Sequence, residues 1–321
     1  MLAGDERIGS VVVVSRRRPD GWRPGPDVEH RTVDLVTDQL EPLLDGVDVV
    51  VNLAWQIGPA RDVDAQWRTN VVGTRRLLDA AAAAGVDAVV HASSIAAYSP
   101  DLAGEPVTED APTDGLPTHA YSWQKAYVER LLDTFELAHP AIRVVRFRPT
   151  LLLKRDAAAE LRQLFLGVVL PGPLARPQLA AVLSAAPPRY QLMHTDDAAR
   201  AFLEGVVRPV RGAFNLATEA VFGSGIAPTI TRPLFTGVAE VAWRLRLVRA
   251  DPGWLELVFR APLIDTTRAR KELDWTPYWT GRGALEEFLT GLRTGADGPT
   301  MSLRGDPSPL PGPDPASVTS R

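Results

Sequence analysis

A tyrosine and a lysine stand four residues apart, at Tyr121 and Lys125, in the stretch AYSWQKAYVERLL. On a helix, residues i and i+4 share a face, so the lysine ammonium can lie near the phenol. A neighbouring positive charge favours the phenolate and lowers a tyrosine pKa from its usual value of about 10. The spacing therefore fits an acid/base that takes a hydroxyl proton while a hydride leaves the same carbon. Alone, Tyr121 fits equally well as an amphipathic residue at a helix start.

Composition limits the chemistry that the chain can perform. The 321 residues carry a net charge of -4, which gives no electrostatic reason to expect nucleic acid or an anionic membrane as a partner. Cysteine is absent, so disulfides, thiolate catalysis and cysteine metal sites are excluded. No apolar run approaches the roughly 20 residues needed to cross a bilayer, and the first residues do not resemble a signal peptide. We therefore expect a cytoplasmic protein.

Short apolar runs alternate with helical patterns through the first half of the chain. Runs at 10–15, 47–54, 86–94 and 142–149 are rich in valine and isoleucine, which is typical of strands buried on both faces of a parallel sheet. Helical patterns fall at roughly 61–84 and 119–138. This alternation predicts a doubly wound α/β sheet, which binds ligands beyond the carboxyl ends of its strands. The polar residues at those ends are Arg16, Arg17, Asn52, Ser93, Ser94 and Arg148.

The second half of the chain is less regular and suggests a smaller substrate lobe interleaved with the sheet. We assign residues 1–150 to a nucleotide-binding domain, to which 190–217 returns. Residues 151–189 and 218–296 form the predicted substrate lobe. Residues 297–321 are rich in Pro, Gly, Ser and Asp and poor in large apolar residues, so we expect a disordered tail.

Several motifs occur together in an order that resembles one family, the extended short-chain dehydrogenases/reductases, also called the NAD-dependent epimerase/dehydratase family. The resemblance runs from about Val11 to about Leu292. It implies a Rossmann-like doubly wound parallel sheet with a smaller C-terminal substrate lobe. The motifs are VVVNLA, TNVVGTRRLLDAA, VVHASSIAAYS, YSWQK, VVRFRPT, QLMHTDDAARA, GAFNLA and ARKELDWTP.

The resemblance implies a role for four of the residues. Tyr121 corresponds to the catalytic acid/base and Lys125 to its partner, which also holds the nicotinamide ribose. Ser94 corresponds to the hydroxyl that binds the reacting oxygen; we prefer it to Ser93 because it immediately precedes IAAY. Asn70 corresponds to a residue that positions a helix or a proton-relay water.

The cofactor prediction depends on the arginines after the first strand. Arg16 and Arg17 stand where relatives that prefer NAD commonly place an acidic residue, and guanidinium groups suit a 2'-phosphate. We therefore favour NADP, with NAD as the alternative; three exposed arginines could equally be a solvated turn. The resemblance adds adenine-side and loop contacts. The predicted cofactor-binding residues are Arg16, Arg17, Asp34, Leu35, Ala54, Tyr121, Lys125 and Arg148.

One part of the family pattern is not found in this sequence. Relatives begin with a strand, a glycine-rich turn and a helix whose N-terminus binds the pyrophosphate. Here the first strand already matches the second strand of the family, and only MLAGDERIG precedes it. In the family's strand order the unmatched strand is central, so we expect a gap or direct pairing of its two neighbours. A late-called start and a true truncation both explain the pattern, and we favour the first.

These observations predict an NAD(P)-dependent oxidoreductase or epimerase acting on a secondary alcohol or ketone of a sugar nucleotide or similar small polar molecule. Ile95 and Ala96 follow Ser94 where dehydratases of the family carry acidic residues, which argues against sugar dehydration. A homodimer stays open. The alternative is a non-catalytic nucleotide sensor or scaffold on the same fold. We expect no metal site. The residue types of His194, Asp196 and Asp197 could bind a metal, but we interpret this cluster as the start of a helix.

Overall fold

The computed structural model describes residues 1–18, 22–57, 62–100, 105–161, 189–219, 221–222, 237, 240–241, 243–245 and 251–296. The predicted tail at 297–321 and residues 162–188 of the predicted lobe lie outside the described residues. The described strands are β1 (Val11–Ser15), β2 (Val28–Thr32), β3 (Val49–Asn52), β4 (Ala88–Ala92), β5 (Arg143–Pro149), β6 (Leu151–Leu153), β7 (Tyr190–His194), β8 (Gly212–Leu216) and β9 (Val221–Phe222).

The described helices follow the strands on both faces of the sheet. They are α1 (Val63–Trp67), α2 (Gly73–Ala84), α3 (Ala120–Ala138), α4 (Ala158–Leu161), α5 (Thr195–Val207), α6 (Gly253–Arg260), α7 (Thr267–Leu273) and α8 (Gly281–Thr294). A π-helix at Arg68–Val72 joins α1 to α2, so the helix predicted at roughly 61–84 is observed as three consecutive pieces.

The main sheet is parallel, with the strand order β3-β4-β5-β8. Successive residues of a strand point to opposite faces, and the central strands bury both. Val89 and Val144 belong to a core shared with α2 and α3, whereas Val90 and Val145 belong to a core shared with α5 and α7. Helices therefore cover both faces, and the α/β Rossmann-like fold predicted from the sequence is confirmed.

A separate two-stranded parallel sheet is formed by β1 and β2. Among the described residues, β1 pairs with β2 and β3 pairs with β4, but β1 and β3 do not pair with each other. The valines of β1 are half-buried, and Val14 is 38% exposed, whereas Val89 and Val90 of β4 are buried. Of the two expected outcomes, a gap and direct pairing, the structure has the gap.

A third sheet, β6-β7-β9, packs against α8 and contains one parallel and one antiparallel pair. Its core contains Leu153, Leu192, Phe222, Leu285 and Leu289. The segment 190–217 is thus divided: β7 joins this small sheet, and β8 completes the main one.

Candidate active site

Helix α3 places the predicted tyrosine and lysine near the carboxyl end of the central strand β4. The helix begins at Ala120, so Tyr121 lies in its first turn. Lys125 is 3% exposed, and its Nζ donates a 2.7 Å hydrogen bond to the carbonyl oxygen of Ala92 at the end of β4. Nζ lies 5.7 Å from the centroid of the Tyr121 ring.

Ser94, two residues beyond β4, reaches the same point. Its hydroxyl opposes the rise of the Tyr121 pKa, and its Oγ accepts a 3.1 Å hydrogen bond from the backbone N–H of Ala96. Ser93 instead donates a 2.6 Å hydrogen bond to Glu129 in the buried interior. The two neighbouring serines thus have different environments: the Ser93 hydroxyl is bonded to Glu129, whereas the Ser94 hydroxyl lowers the pKa of Tyr121.

Asn70 connects the loop after β3 to helix α3. It lies in the π-helix, a distortion that is frequent at functional sites. Its Oδ1 accepts a 2.6 Å hydrogen bond from Gln56 N, and its Nδ2 donates to Gln56 O at 3.1 Å and to Gln124 Oε1 at 2.8 Å. Asn70 therefore holds the loop beside the residue that precedes Lys125.

Aromatic rings surround Tyr121 on several sides. The ring centroid of Trp55 lies 6.0 Å away, that of Trp254 4.9 Å away and that of His119 6.3 Å away. Our sequence analysis assigned no role to Trp55. It missed Trp254 and His119, because Trp254 comes from α6, more than a hundred residues along the chain, and no spacing in the sequence links it to Tyr121.

The electrostatics of the pair differ from the sequence-based expectation. Burial raises the pKa of Tyr121, and the nearby Ser94 hydroxyl only partly opposes this effect. Burial also lowers the pKa of Lys125 well below its usual value, against the charge of Glu129. The expected lowering of the Tyr121 pKa by Lys125 is therefore wrong for the free protein. The physical reason is that burial of Tyr121 itself raises its pKa, while Nζ of Lys125 donates to the carbonyl of Ala92.

The predicted adenine-side residues lie together at the carboxyl ends of β1 and β2. Ser15 pairs with Thr32, so Arg16 and Arg17 leave β1 at the edge where Asp34 follows β2. Asp34 Oδ1 accepts a 2.8 Å hydrogen bond from Val36 N and so stabilises its own turn. Leu35 packs against the helix that follows Asn70, where a Cβ on Gly73 would lie 3.3 Å from Leu35 Cβ. Ala54, beyond β3, donates a 3.1 Å hydrogen bond to Asn52.

Arg148, at the end of β5, belongs to a buried ionic network. Its Nε and Nη2 donate to the two carboxylate oxygens of Glu129 at 2.9 and 3.0 Å, and its Nη1 donates to Tyr98 Oη at 3.0 Å and to Glu109 O at 2.8 Å. These bonds use all three nitrogen atoms of the guanidinium group. The contact of Arg148 with the cofactor stays a prediction.

His194 and the two aspartates in the first turn of α5 stabilise the fold. His194 Nδ1 accepts a hydrogen bond from Asp196 N, so the helix cap is His194 and not Thr195 or Asp196. Asp197 is buried and accepts the backbone N–H groups of Tyr278 and Trp279. In the part of the chain that the structure describes, no group of three or more His, Cys, Asp or Glu side chains could hold a metal ion.

Comparisons with solved structures show the same fold. A UDP-glucuronic acid 4-epimerase from Bacillus cereus, in complex with NAD, has a TM-score of 0.64 at 16% identity, over 92% of this chain and 94% of that one. A dTDP-glucose 4,6-dehydratase from Streptomyces venezuelae, with NAD bound, has a TM-score of 0.64 at 20% identity, over 89% of this chain and 88% of that one.

Curated relatives are longer than this chain. An uncharacterised protein of Mycobacterium tuberculosis is 26% identical over 287 residues, which are 88% of this chain. The chain spans about a quarter, 27%, of the length of that relative. None of the helices in the described ranges is long and apolar enough to pass through a membrane.

The model of the NAD dependent epimerase/dehydratase family matches residues 4–217, two thirds of the sequence. The chain therefore belongs to the NAD-dependent epimerase/dehydratase family.

Proposed function

We propose that the protein is a nicotinamide-dependent oxidoreductase or epimerase that acts on a secondary alcohol or ketone. The observation that carries this proposal is the position of Lys125: its Nζ hydrogen-bonds to Ala92 at the carboxyl end of the central strand and lies 5.7 Å from the ring centroid of Tyr121, one helical turn away. Family membership supports an enzyme in general. The residues Tyr121, Lys125, Ser94 and Asn70 are the proposed catalytic set.

In this proposal each residue has a defined task. Tyr121 Oη takes the hydroxyl proton of the substrate during oxidation and returns it during reduction. Ser94 holds the reacting oxygen, and Lys125 binds ribose hydroxyls. A bound nicotinamide supplies the hydride acceptor. Because burial keeps Tyr121 a neutral phenol in the free protein, the oxidative direction requires a positive charge close to Oη, which Lys125 can supply when it leaves the carbonyl of Ala92.

The site fits the nicotinamide riboside end of such a cofactor. Within the described residues, Trp55 Nε1 is buried and has no hydrogen-bond partner. An ammonium group carries three donors, and hydroxyls of a ribose can accept from it. N–H donors beside the proposed acid/base are the groups that could bind the hydroxyls of a cofactor ribose.

We propose NAD as the cofactor ahead of NADP. The family description names NAD, and both structures described above hold NAD. The case for NADP rests on Arg16 and Arg17, which stand exposed beyond β1. If they bind a 2'-phosphate, Arg16→Ala weakens NADPH binding much more than NADH binding; equal weakening rejects that role.

The proposed substrate is a sugar nucleotide or a similar small polar molecule, in a protein that binds no nucleic acid or membrane and acts in the cytoplasm. Support comes from the sugar nucleotides named for the two similar structures. Ile95 and Ala96, which follow Ser94, favour epimerisation or reduction over dehydration. A homodimer is compatible with this proposal.

The test is a turnover assay with NAD and either UDP-glucose or UDP-glucuronic acid, followed by proton NMR of the sugar. We expect interconversion of epimers, its loss in Tyr121→Phe, and its retention in Tyr127→Phe. Tyr127 is a matched control because it lies on the same helix but is 45% exposed and packs on Trp67. Equal turnover by wild type and Tyr121→Phe would reject Tyr121 as the acid/base.

A second candidate is a non-catalytic nucleotide sensor or scaffold. It is favoured by the gap between β1 and β3 among the described strands, because this is the region where relatives bind the pyrophosphate. A protein of this kind would bind the nucleotide or a partner without changing any sugar in the same assay, and Tyr121→Phe would then have no effect on its binding.

A further inference from the structure

The indole ring of Trp55 lies directly on the ammonium group of Lys125. Nζ of Lys125 is 3.4 Å from the ring centroid of Trp55, which is well within the distance of a cation–π interaction. The same Nζ donates to the carbonyl oxygen of Ala92 at 2.7 Å. The ammonium of the free protein is therefore covered by an aromatic ring on one side and bonded to the backbone on another.

The backbone that carries Trp55 is fixed. Ala54 N donates to Asn52 Oδ1 at 3.1 Å, and the backbone N–H and C=O of Gln56 both hydrogen-bond to Asn70. Residues on each side of Trp55 are thus held by buried asparagines. Rotation of the Trp55 side chain moves the ring while these backbone bonds stay intact.

The covering position leaves one polar group of the ring unsatisfied. Trp55 Nε1 is buried and, in the part of the chain that the structure describes, has no hydrogen-bond partner. A buried donor without a partner loses its bond to water and gains nothing in return, so this position of the ring is not the best one for the indole N–H. Its compensation is the contact with the Lys125 charge.

We propose that Trp55 is a positioning residue for Lys125: its ring covers the ammonium group in the free protein, and a nicotinamide nucleotide reaches Lys125 only by displacing that ring. The inference rests on the proposed function, since it takes Lys125 as the group that binds the nicotinamide ribose. Ribose hydroxyls and the indole ring compete for the same face of the ammonium, so nucleotide binding and the cation–π contact exclude each other.

The scarcity of lysine makes a direct test simple. The chain has three lysines, so protein labelled with [13Cε]lysine gives three ε-CH2 signals in a proton–carbon correlation spectrum. In the free protein we expect one signal, that of Lys125, to be shifted upfield by the ring current of Trp55. Lys125→Met identifies the signal by removing it.

The variants of the ring decide whether the shift comes from Trp55. Trp55→Leu should move the Lys125 signal to an unshifted position, and Trp55→Phe should retain part of the shift. Trp67→Leu, which removes an indole that packs on Trp123 and Tyr127, should leave the signal in place. A Lys125 signal that is not shifted, or that does not respond to Trp55→Leu, would overturn the covering contact.

Addition of NADH tests the displacement. We expect the Lys125 signal of the wild type to move downfield as the ring leaves, and calorimetric titration to give an NADH affinity about tenfold higher for Trp55→Leu than for the wild type. Unchanged affinity in Trp55→Leu, with clear NADH binding to both proteins, would overturn the inference and leave the proposed function intact. If no protein in the series binds NADH or NADPH, both are rejected.

Discussion

At the scale of single residues, the site separates two kinds of buried charge. Lys125 is buried with few partners, and its pKa falls. Glu129, one turn further along α3, is fully buried but bonded to Ser93, Arg146 and Arg148. Burial raises the pKa of Glu129, but the hydrogen bonds and charge of Arg148, with the charge of Arg146, outweigh it and hold the pKa at about 2. The same helix thus carries Lys125, a member of the proposed catalytic set, and Glu129, which belongs to a buried ionic network.

Glu129→Gln should lower the free energy of unfolding by about 3 to 5 kcal/mol near neutral pH, because it leaves buried guanidinium groups without their partner. The folded-state pKa is below the ordinary value of 4.5, so this contribution is present above pH 4.5 and is lost as the pH falls towards about 2. Urea unfolding at several pH values measures it.

The control for this prediction is Asp79→Asn, which breaks an exposed pair with Arg75 at 3.9 Å and should change stability very little. A difference between wild type and Glu129→Gln that stays constant down to the lowest pH would contradict the assigned pKa. A difference no larger than that of Asp79→Asn would contradict the ionic network itself.

At the scale of elements, apolar periodicity predicted the buried strands and the long helices well. Helix α3 was expected at roughly 119–138 and is observed at Ala120–Ala138, because its start and its stop before Pro140 are both encoded locally. Strand β2, with the sequence VEHRT, was not predicted, because its half-exposed residues carry no apolar run. The sequence shows that Arg148 stands at the end of a strand, and for this reason it was assigned to the cofactor. Its contact with Glu129 could not be predicted, because only the fold brings the two residues together.

The first turn of α3 is held in place by a tight turn at Gly115. This residue has φ +68, and a Cβ there would lie 2.8 Å from Ser122 O and 3.1 Å from Ala126 Cβ. We expect Gly115→Ala to destabilise the protein by more than Gly46→Ala, because Gly46 has a similar φ of +70 but open space around it. The backbone conformation alone costs roughly 1 to 2 kcal/mol.

Denaturant unfolding of the two glycine variants measures the difference directly. The excess loss in Gly115→Ala, roughly 1 to 3 kcal/mol, reports the contact with α3. Equal losses in the two variants would show that the turn at Gly115 is not packed against the helix that carries Tyr121.

At the scale of the whole molecule, the described strands form three sheets, and the strands of these sheets are buried to different extents. β4 lies between β3 and β5 and is buried on both faces, while β1 pairs with β2 and its valines stay half-buried. The sequence indicated this break, because its first strand matched the second strand of the family. It did not indicate the small β6-β7-β9 sheet, whose pairing joins residues far apart in the chain.

Amide hydrogen exchange should follow this arrangement. We expect the amides of β1 and β2 to exchange much faster than those of β4 and β5, because local opening of a two-stranded sheet exposes little buried surface. Mass spectrometry of peptides that cover residues 11–15 and 88–92 makes the comparison. Equal protection of the two peptides would show that β1 is as strongly integrated as the main sheet.

The central claim is that Lys125 and Tyr121 form a binding site for a nicotinamide cofactor, and calorimetric titration with NADH tests it most directly. The account predicts that the wild-type chain binds NADH and that Lys125→Met weakens this binding at least about tenfold, the loss expected when a charged hydrogen-bond donor is removed. NADH binding that is equal in wild type and Lys125→Met would contradict the account, because the cofactor would then bind away from the proposed site.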